Sequence, residues 1–272
     1  MSNKGAPKRV FGGNYMTLSK ALKFLILNCI LIVIIYSLQY VFNFLTYDIN
    51  GPMTWMMSHS ERLANNTDFI SAFSWYLVQF LITCLLIHYF LRKGIKEVGF
   101  STLNLQLSMK YIKYFILIFP FVVVICCALI YSTLGLQPLI EQYEGRNVIY
   151  AVKDIMIFGT LPGLSEEPFF RIFVIQFFLL FWFKRFNSLS PNGINMMVFL
   201  SSFYFMLGHI FINWSPFYLK YDVIQLITAF ILGIYYTVTY LKTKSILASI
   251  VCHSYSDFII YLMGYLLYFY NR

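Results

Sequence analysis

The stretch Ser165-Glu166-Glu167-Pro168-Phe169-Phe170-Arg171 lies in one of the most apolar parts of the chain. Ile155-Met156-Ile157-Phe158 precede it, and from Ile172 to Phe183 only Gln176 is polar. Two adjacent carboxylates and an arginine cost several kcal/mol if exposed to lipid, so they must face a protected interior. An i,i+4 spacing puts Glu167 and Arg171 on one helical face, where the guanidinium can pair with that carboxylate. Glu166 sits about 100° further round the helix and stays free for other work. A structural ion pair accounts for Glu167 and Arg171, but not for the second acid beside them.

The surrounding segment 148–183 is too long for a single crossing. At 1.5 Å per residue it exceeds a hydrocarbon core of about 30 Å. Leu161-Pro162-Gly163 is the expected break. Ser165 then suits an N-cap, with a helix starting at Glu166 and Pro168 in its first turn. In that arrangement the glutamates sit at the positive end of a helix dipole. Broken helices at membrane depth are tolerated where they line a cavity.

Of the 272 residues, 60% are hydrophobic, 20% aromatic and only 11% charged. A soluble domain carries about 25% charged residues, so the composition indicates an all-α, polytopic transmembrane helical bundle. A net charge of +9 can signal nucleic acid, but here the basic residues are spread among short loops between apolar runs. That pattern belongs to membrane topology. All five cysteines fall in apolar runs without a CxxC, which suggests packing rather than disulfides or a zinc knuckle. The first apolar run is too long for a signal-peptide core and is read as a retained span.

Taken in order, residues 1–23 form a basic tail and spans are expected at 24–45, 69–91 and 114–134, with Pro120 kinking the third. Residues 103–107 are expected along the membrane surface. The broken element 148–183 follows, then spans at 196–212, 223–241 and 246–268, giving about seven crossings, or eight helices if the broken element counts twice. Basic residues on the tail side number 14 against 5 on the other side, placing the N-terminus in the cytoplasm.

Three different segments of the second half supply ionisable residues within the apolar spans: Glu166, Glu167 and Arg171; His209; and His253 with Asp257. His253 and Asp257 are i,i+4, so the carboxylate can orient the imidazole. The set suits attack by water on an amide, with a glutamate taking the proton, a histidine assisting and other donors stabilising the oxyanion. It equally suits two histidines and a carboxylate holding a zinc ion that activates the water. There is no HExxH and no GxGD, and Gly163-Leu164-Ser165-Glu166 lacks the second glycine of a GxSG, which leaves a Ser165–His pair as a minor alternative. A buried-acid transporter is a further class, disfavoured by the lack of an evident internal repeat.

Glu166-Glu167-x-x-x-Arg171, Phe205-x-x-x-His209 and His253-x-x-x-Asp257, in that order, resemble the three motifs of the CPBP family, which comprises the CAAX-processing type II proteases and the bacteriocin-processing, or Abi, membrane proteins. The approach to the third motif, Phe230-Ile231-Leu232-Gly233 and then Leu241 to Ile246, is also similar. The resemblance covers about 150–260. It implies 24–147 as N-terminal membrane helices and 148–272 as a catalytic core. It implies an intramembrane endopeptidase acting on a membrane-associated peptide or protein, in which Glu166 and His209 activate water and Glu167 and Arg171 support the site. His253 and Asp257 would stabilise the oxyanion or ligate a metal. The chain departs from the family at Ile172, where glycine is usual, at Pro168, and at Asp257, where asparagine is frequent. A carboxylate donates to an oxyanion only if protonated. The composition suggests a bacterial cell membrane, and the alternative is a non-catalytic relative giving bacteriocin immunity or regulating a membrane partner.

Overall fold

Charge-free apolar runs become long helices in the computed structural model, which describes residues 18–60, 66–92, 94–183, 190–214 and 216–272. Most of the basic tail, with Lys4, Lys8 and Arg9, lies outside the described residues, as do Glu61, Arg62, Lys93, Lys184 and Arg185. Helix α1 (Leu18–Thr46) is followed by a short α2 (Pro52–Ser58) and by α3 (Thr67–Leu85), which continues as a π turn to Phe90. Then come α4 (Leu105–Leu134), α5 (Gln137–Tyr143) and α6 (Val148–Phe158). Helix α7 (Leu161–Glu167) leads into a π turn at Pro168–Phe173, and α8 (Val174–Phe178) into another at Leu179–Phe183. Helices α9 (Pro191–Leu207), α10 (Val223–Thr243) and α11 (Leu247–Tyr270) complete the bundle.

Among the described residues, five helices are each long and apolar enough to cross a membrane: α1, α3 with its π turn, α4, α10 and α11. The broken element and the 17-residue α9 are the two further segments that the sequence expects to cross. The chain is an all-α membrane bundle with one small addition. Phe211–Trp214 (β1) and Phe217–Lys220 (β2) pair antiparallel, with Phe211 opposite Lys220. The expected span at 196–212 therefore stops at Leu207. Residues 103–107 do not lie as a separate surface segment either; α4 begins within them, after Asn104 in a left-handed conformation.

The break in the fourth element falls earlier than the sequence suggests. Helix α6 stops at Gly159, and α7 starts after Thr160 with Pro162 in its first turn, where no amide donor is missed. Ser165 is consequently inside the helix and donates to the Pro162 carbonyl at 3.2 Å instead of capping it. Glu166 and Glu167 are its last two residues, so the dipole argument made from the sequence does not apply. Pro168, which has no N–H to give to the preceding turn, is accommodated by the wider π turn.

Close approach of backbones sets α6 and α7 against α11. A Cβ on Gly163 would lie 2.5 Å from the Ile250 carbonyl and 2.9 Å from the Ser254 nitrogen, and one on Gly159 would lie 2.9 Å from the Phe258 Cα. Small residues four apart are how membrane helices approach this closely. At the end where α11 begins, the chain is tied to the 94–104 loop. Ile246 donates to the Gly99 carbonyl at 2.9 Å, Ser245 to Ser101 at 2.5 Å and Tyr240 to Val98 at 2.8 Å. The α11 start is thus itself covered: Ser245, Ile246 and Ala248 are buried.

Gly163→Val should disrupt the α7–α11 crossing, costing about 1–3 kcal/mol by overpacking. A lowered thermal midpoint in detergent, set against an unchanged Leu164→Ala control, is the expected result.

Candidate active site

Arg171 is the largest fully buried side chain, and every charge around it is met. Its Nε donates to Glu167 Oε2 at 2.9 Å and its Nη2 to Oε1 at 3.1 Å, a bidentate pair one helical turn apart. The third nitrogen, Nη1, reaches Ser201 Oγ on α9 at 3.0 Å. Ser201 in turn donates to the Phe170 carbonyl at 2.9 Å, and the hydroxyl of Thr237 on α10 lies 3.1 Å from it. The guanidinium lies over the Phe205 ring at 4.6 Å and near Tyr236 at 5.7 Å. A buried ion pair repays its desolvation only when the remaining donors and lone pairs are also satisfied. Here they are.

Glu167 also connects the broken element to α11: its Oε1 accepts from His253 Nδ1 at 3.0 Å. On the other side of the ring, His253 Nε2 lies 3.3 Å from Asp257 Oδ2. Only the doubly protonated imidazole donates at both nitrogens. The ring is wedged between Tyr236, stacked at 5.1 Å, and the edge of Phe205 at 5.3 Å. Tyr236 OH meets Ser256 Oγ at 2.7 Å, and that hydroxyl donates to the His253 carbonyl. The imidazole therefore has little freedom to turn.

Glu166 is different. It makes no hydrogen bond or ion pair among the described residues and lines a cavity of about 790 Å³. His209, His253 and Asp257 line the same cavity, whereas Glu167 and Arg171 lie behind its wall. His209 sits in the turn after α9, where its Nδ1 faces the Phe205 carbonyl at 2.8 Å. That carbonyl only accepts, so Nδ1 carries a proton, and in the neutral ring the free lone pair is on Nε2. Gln39 of α1 holds the same turn by donating to the Gly208 carbonyl at 2.7 Å. All six residues selected from the sequence come together here, four on the cavity wall and two supporting it.

Several residues of the site were not distinguished by the sequence reading. Ser201, Thr237 and Tyr236 look like ordinary polar or aromatic positions in membrane helices, and only their partners reveal them. Gln39 and Gln79 also line the cavity, each with a buried carbonyl oxygen that lacks a protein partner. They come from α1 and α3, far in sequence from the three motifs. An amide in an apolar run was the available signal.

A zinc site is not what this donor set forms. Among the described residues no group of three or more His, Cys, Asp or Glu side chains is arranged to hold a metal ion. His253 has both nitrogens turned to carboxylates, and Glu167 is committed to the guanidinium.

No curated protein and no solved structure matches the chain. Residues 149–259 match the family model for the type II CAAX prenyl endopeptidases, described as Rce1-like, and the matched segment contains all three motifs. Over residues 149–259, therefore, the chain is similar to the Rce1-like type II CAAX prenyl endopeptidases, in agreement with the CPBP resemblance of its motifs.

Proposed function

We propose that the protein is an intramembrane endopeptidase that hydrolyses a peptide bond in a membrane-associated peptide or protein by way of a glutamate-activated water. The observation that carries this reading is the contrast between two adjacent acids. Glu167 is fully committed to Arg171 and His253, whereas Glu166 is uncommitted and shares a cavity with His209. A half-buried carboxylate on a cavity wall, with no partner among the described residues, is costly unless something in the cavity engages it.

In the proposed reaction Glu166 takes a proton from water, with His209 Nε2 as the second acceptor, and the resulting hydroxide attacks the carbonyl carbon. The C–N bond of the tetrahedral intermediate then breaks, and the proton held by Glu166 or His209 passes to the leaving amine. In the oxyanion role that the family resemblance implies, His253 keeps its Nδ1–H on Glu167 and shifts its Nε2–H from Asp257 to the developing oxyanion. This role needs no donation from Asp257, so the departure from asparagine is tolerated. Glu167 and Arg171 act through His253 and are positioning residues. On the charge distribution, the chain lies in a cell membrane with its N-terminus in the cytoplasm and crosses seven times.

Purified protein in liposomes should release fragments from a peptide library, and Glu166→Gln or His209→Ala should each lower that rate by about 10²–10⁴-fold. Neither change should move the thermal midpoint appreciably. Chelator should leave the rate unchanged. Identical fragments from wild type and Glu166→Gln would reject this assignment.

Arg171→Met should behave differently, because it leaves Glu167 buried without its partner. A loss of about 3–5 kcal/mol is expected, seen as a lowered midpoint together with lost cleavage. An Arg171→Met protein of unchanged stability would mean that the ion pair does not anchor the site.

A further inference from the structure

The cavity does not run through the bundle: it opens at one end and reaches inward as far as Thr83, Tyr236 and His253. Helix α1 contributes only its later turns, from Ile35 to Phe42, and α4 only its last, with Ile130 and Leu134. Helix α9 contributes its end at Phe205 and the turn beyond it, whereas α10 contributes from its first turn, at Ile224 and Gln225. Helices α1, α4 and α9, which enter from the tail side, are thus represented by their far parts, and α11 by its middle, from His253 to Tyr261. On that far side the lining includes exposed residues, among them Gln142, Phe211, Asp222 and Gln225, which mark the mouth.

None of the cavity's lining comes from the tail-side ends of the helices. Phe90 of α3 packs on Phe173, Phe177 and Phe181 of the broken element, with ring centroids 5.7–6.3 Å apart. Phe24 of α1 packs on Trp182 at 5.1 Å. Beyond these rings the loop 94–104 covers the start of α11. The basic residues Lys20, Lys23, Lys96, Lys242 and Lys244 stand at this end, which is the cytoplasmic end by the positive-inside rule.

The geometry points to a site entered from the extracytoplasmic face, serving a peptide bond presented on that side of the membrane. The substrate is a polypeptide segment that has already crossed the bilayer, either an exported peptide or the outer juxtamembrane part of a membrane protein. A cytoplasmic chain end carrying a lipid would meet packed helix ends and the lysine-bearing loops instead of the mouth. The inference rests on the protease reading for the word substrate and on the charge asymmetry for the orientation. The mouth suits a segment lying at the interface, since amide and carboxylate groups at Gln142, Gln225 and Asp222 alternate with the exposed apolar side chains of Leu134, Phe211 and Ile224.

The test is cysteine accessibility in the full chain expressed in a bacterial inner membrane, using a membrane-impermeant maleimide on spheroplasts. Wild type, whose five cysteines all lie in apolar runs, sets the background. Gln142→Cys and Gln225→Cys should label to the same extent before and after permeabilisation, while Lys96→Cys and Lys242→Cys should label only after it. The reverse pattern would overturn the proposal, as would mouth positions that label only after permeabilisation. A separate arm adds the best-cleaved library peptide outside sealed spheroplasts and compares wild type with Glu166→Gln. Cleavage from outside that needs Glu166 supports both readings. The expected labelling without Glu166-dependent cleavage would retain the access route and reject the protease, whereas Glu166-dependent cleavage only after permeabilisation would do the opposite.

Discussion

The arrangement depends on one buried cation. Arg171 is fully enclosed, and a guanidinium in that position is tolerable only if its donors all find acceptors. The partners come from three separate elements: Glu167 one turn earlier, Ser201 on α9, and the rings of Phe205 and Tyr236 on α9 and α10. Glu167 then passes the constraint to α11 through His253. Meeting the needs of one charge thus fixes the relative placement of four segments that are otherwise held by apolar packing, which is less directional. Hydrogen bonds supply the register that dispersion does not.

The two glutamates illustrate how a one-residue step on a helix divides labour. Their side chains leave the helix about 100° apart, so when Glu167 faces the guanidinium, Glu166 faces the cavity. This separation survives although α7 begins earlier than the sequence suggested. The N-cap reading at Ser165 failed because Pro162 offers an equally good first-turn position three residues upstream, and the tight packing of Gly159 and Gly163 on α11 rewards the earlier start. Angular relations between neighbours on a helix do not depend on where the helix starts, whereas dipole arguments do. The first kind of inference was therefore robust to the error and the second was not.

Much of the bundle was legible because membrane helices are written as charge-free apolar runs, and their presence follows from the need to satisfy the backbone within each segment. The juxtaposition of Glu167 with Arg171, and of His253 with Asp257, was legible from i,i+4 spacing. That Glu167 also bridges to His253 was not, since nothing local encodes an 86-residue separation. The hairpin after His209 was missed because Phe211 to Trp214 reads as the end of an apolar span.

The N-terminal helices complete the site although they lie outside the matched segment. Gln39 anchors the turn that carries His209, and Tyr204 of α9 is tied back to Asn28 of α1 at 2.5 Å. Gln39 and Gln79 also place unpartnered carbonyl oxygens on the cavity wall, where water or the N–H groups of a bound chain can satisfy them. Charge handling is concentrated in the second half of the chain, and part of the wall against which a substrate would rest comes from the first. In such a division the motif residues are held by the demands of Arg171, while the facing wall is held by separate bonds at Asn28 and Gln39. Under the proposed protease reading, the N-terminal helices are thus the part of the wall that would face a substrate without touching the ion pair around Arg171.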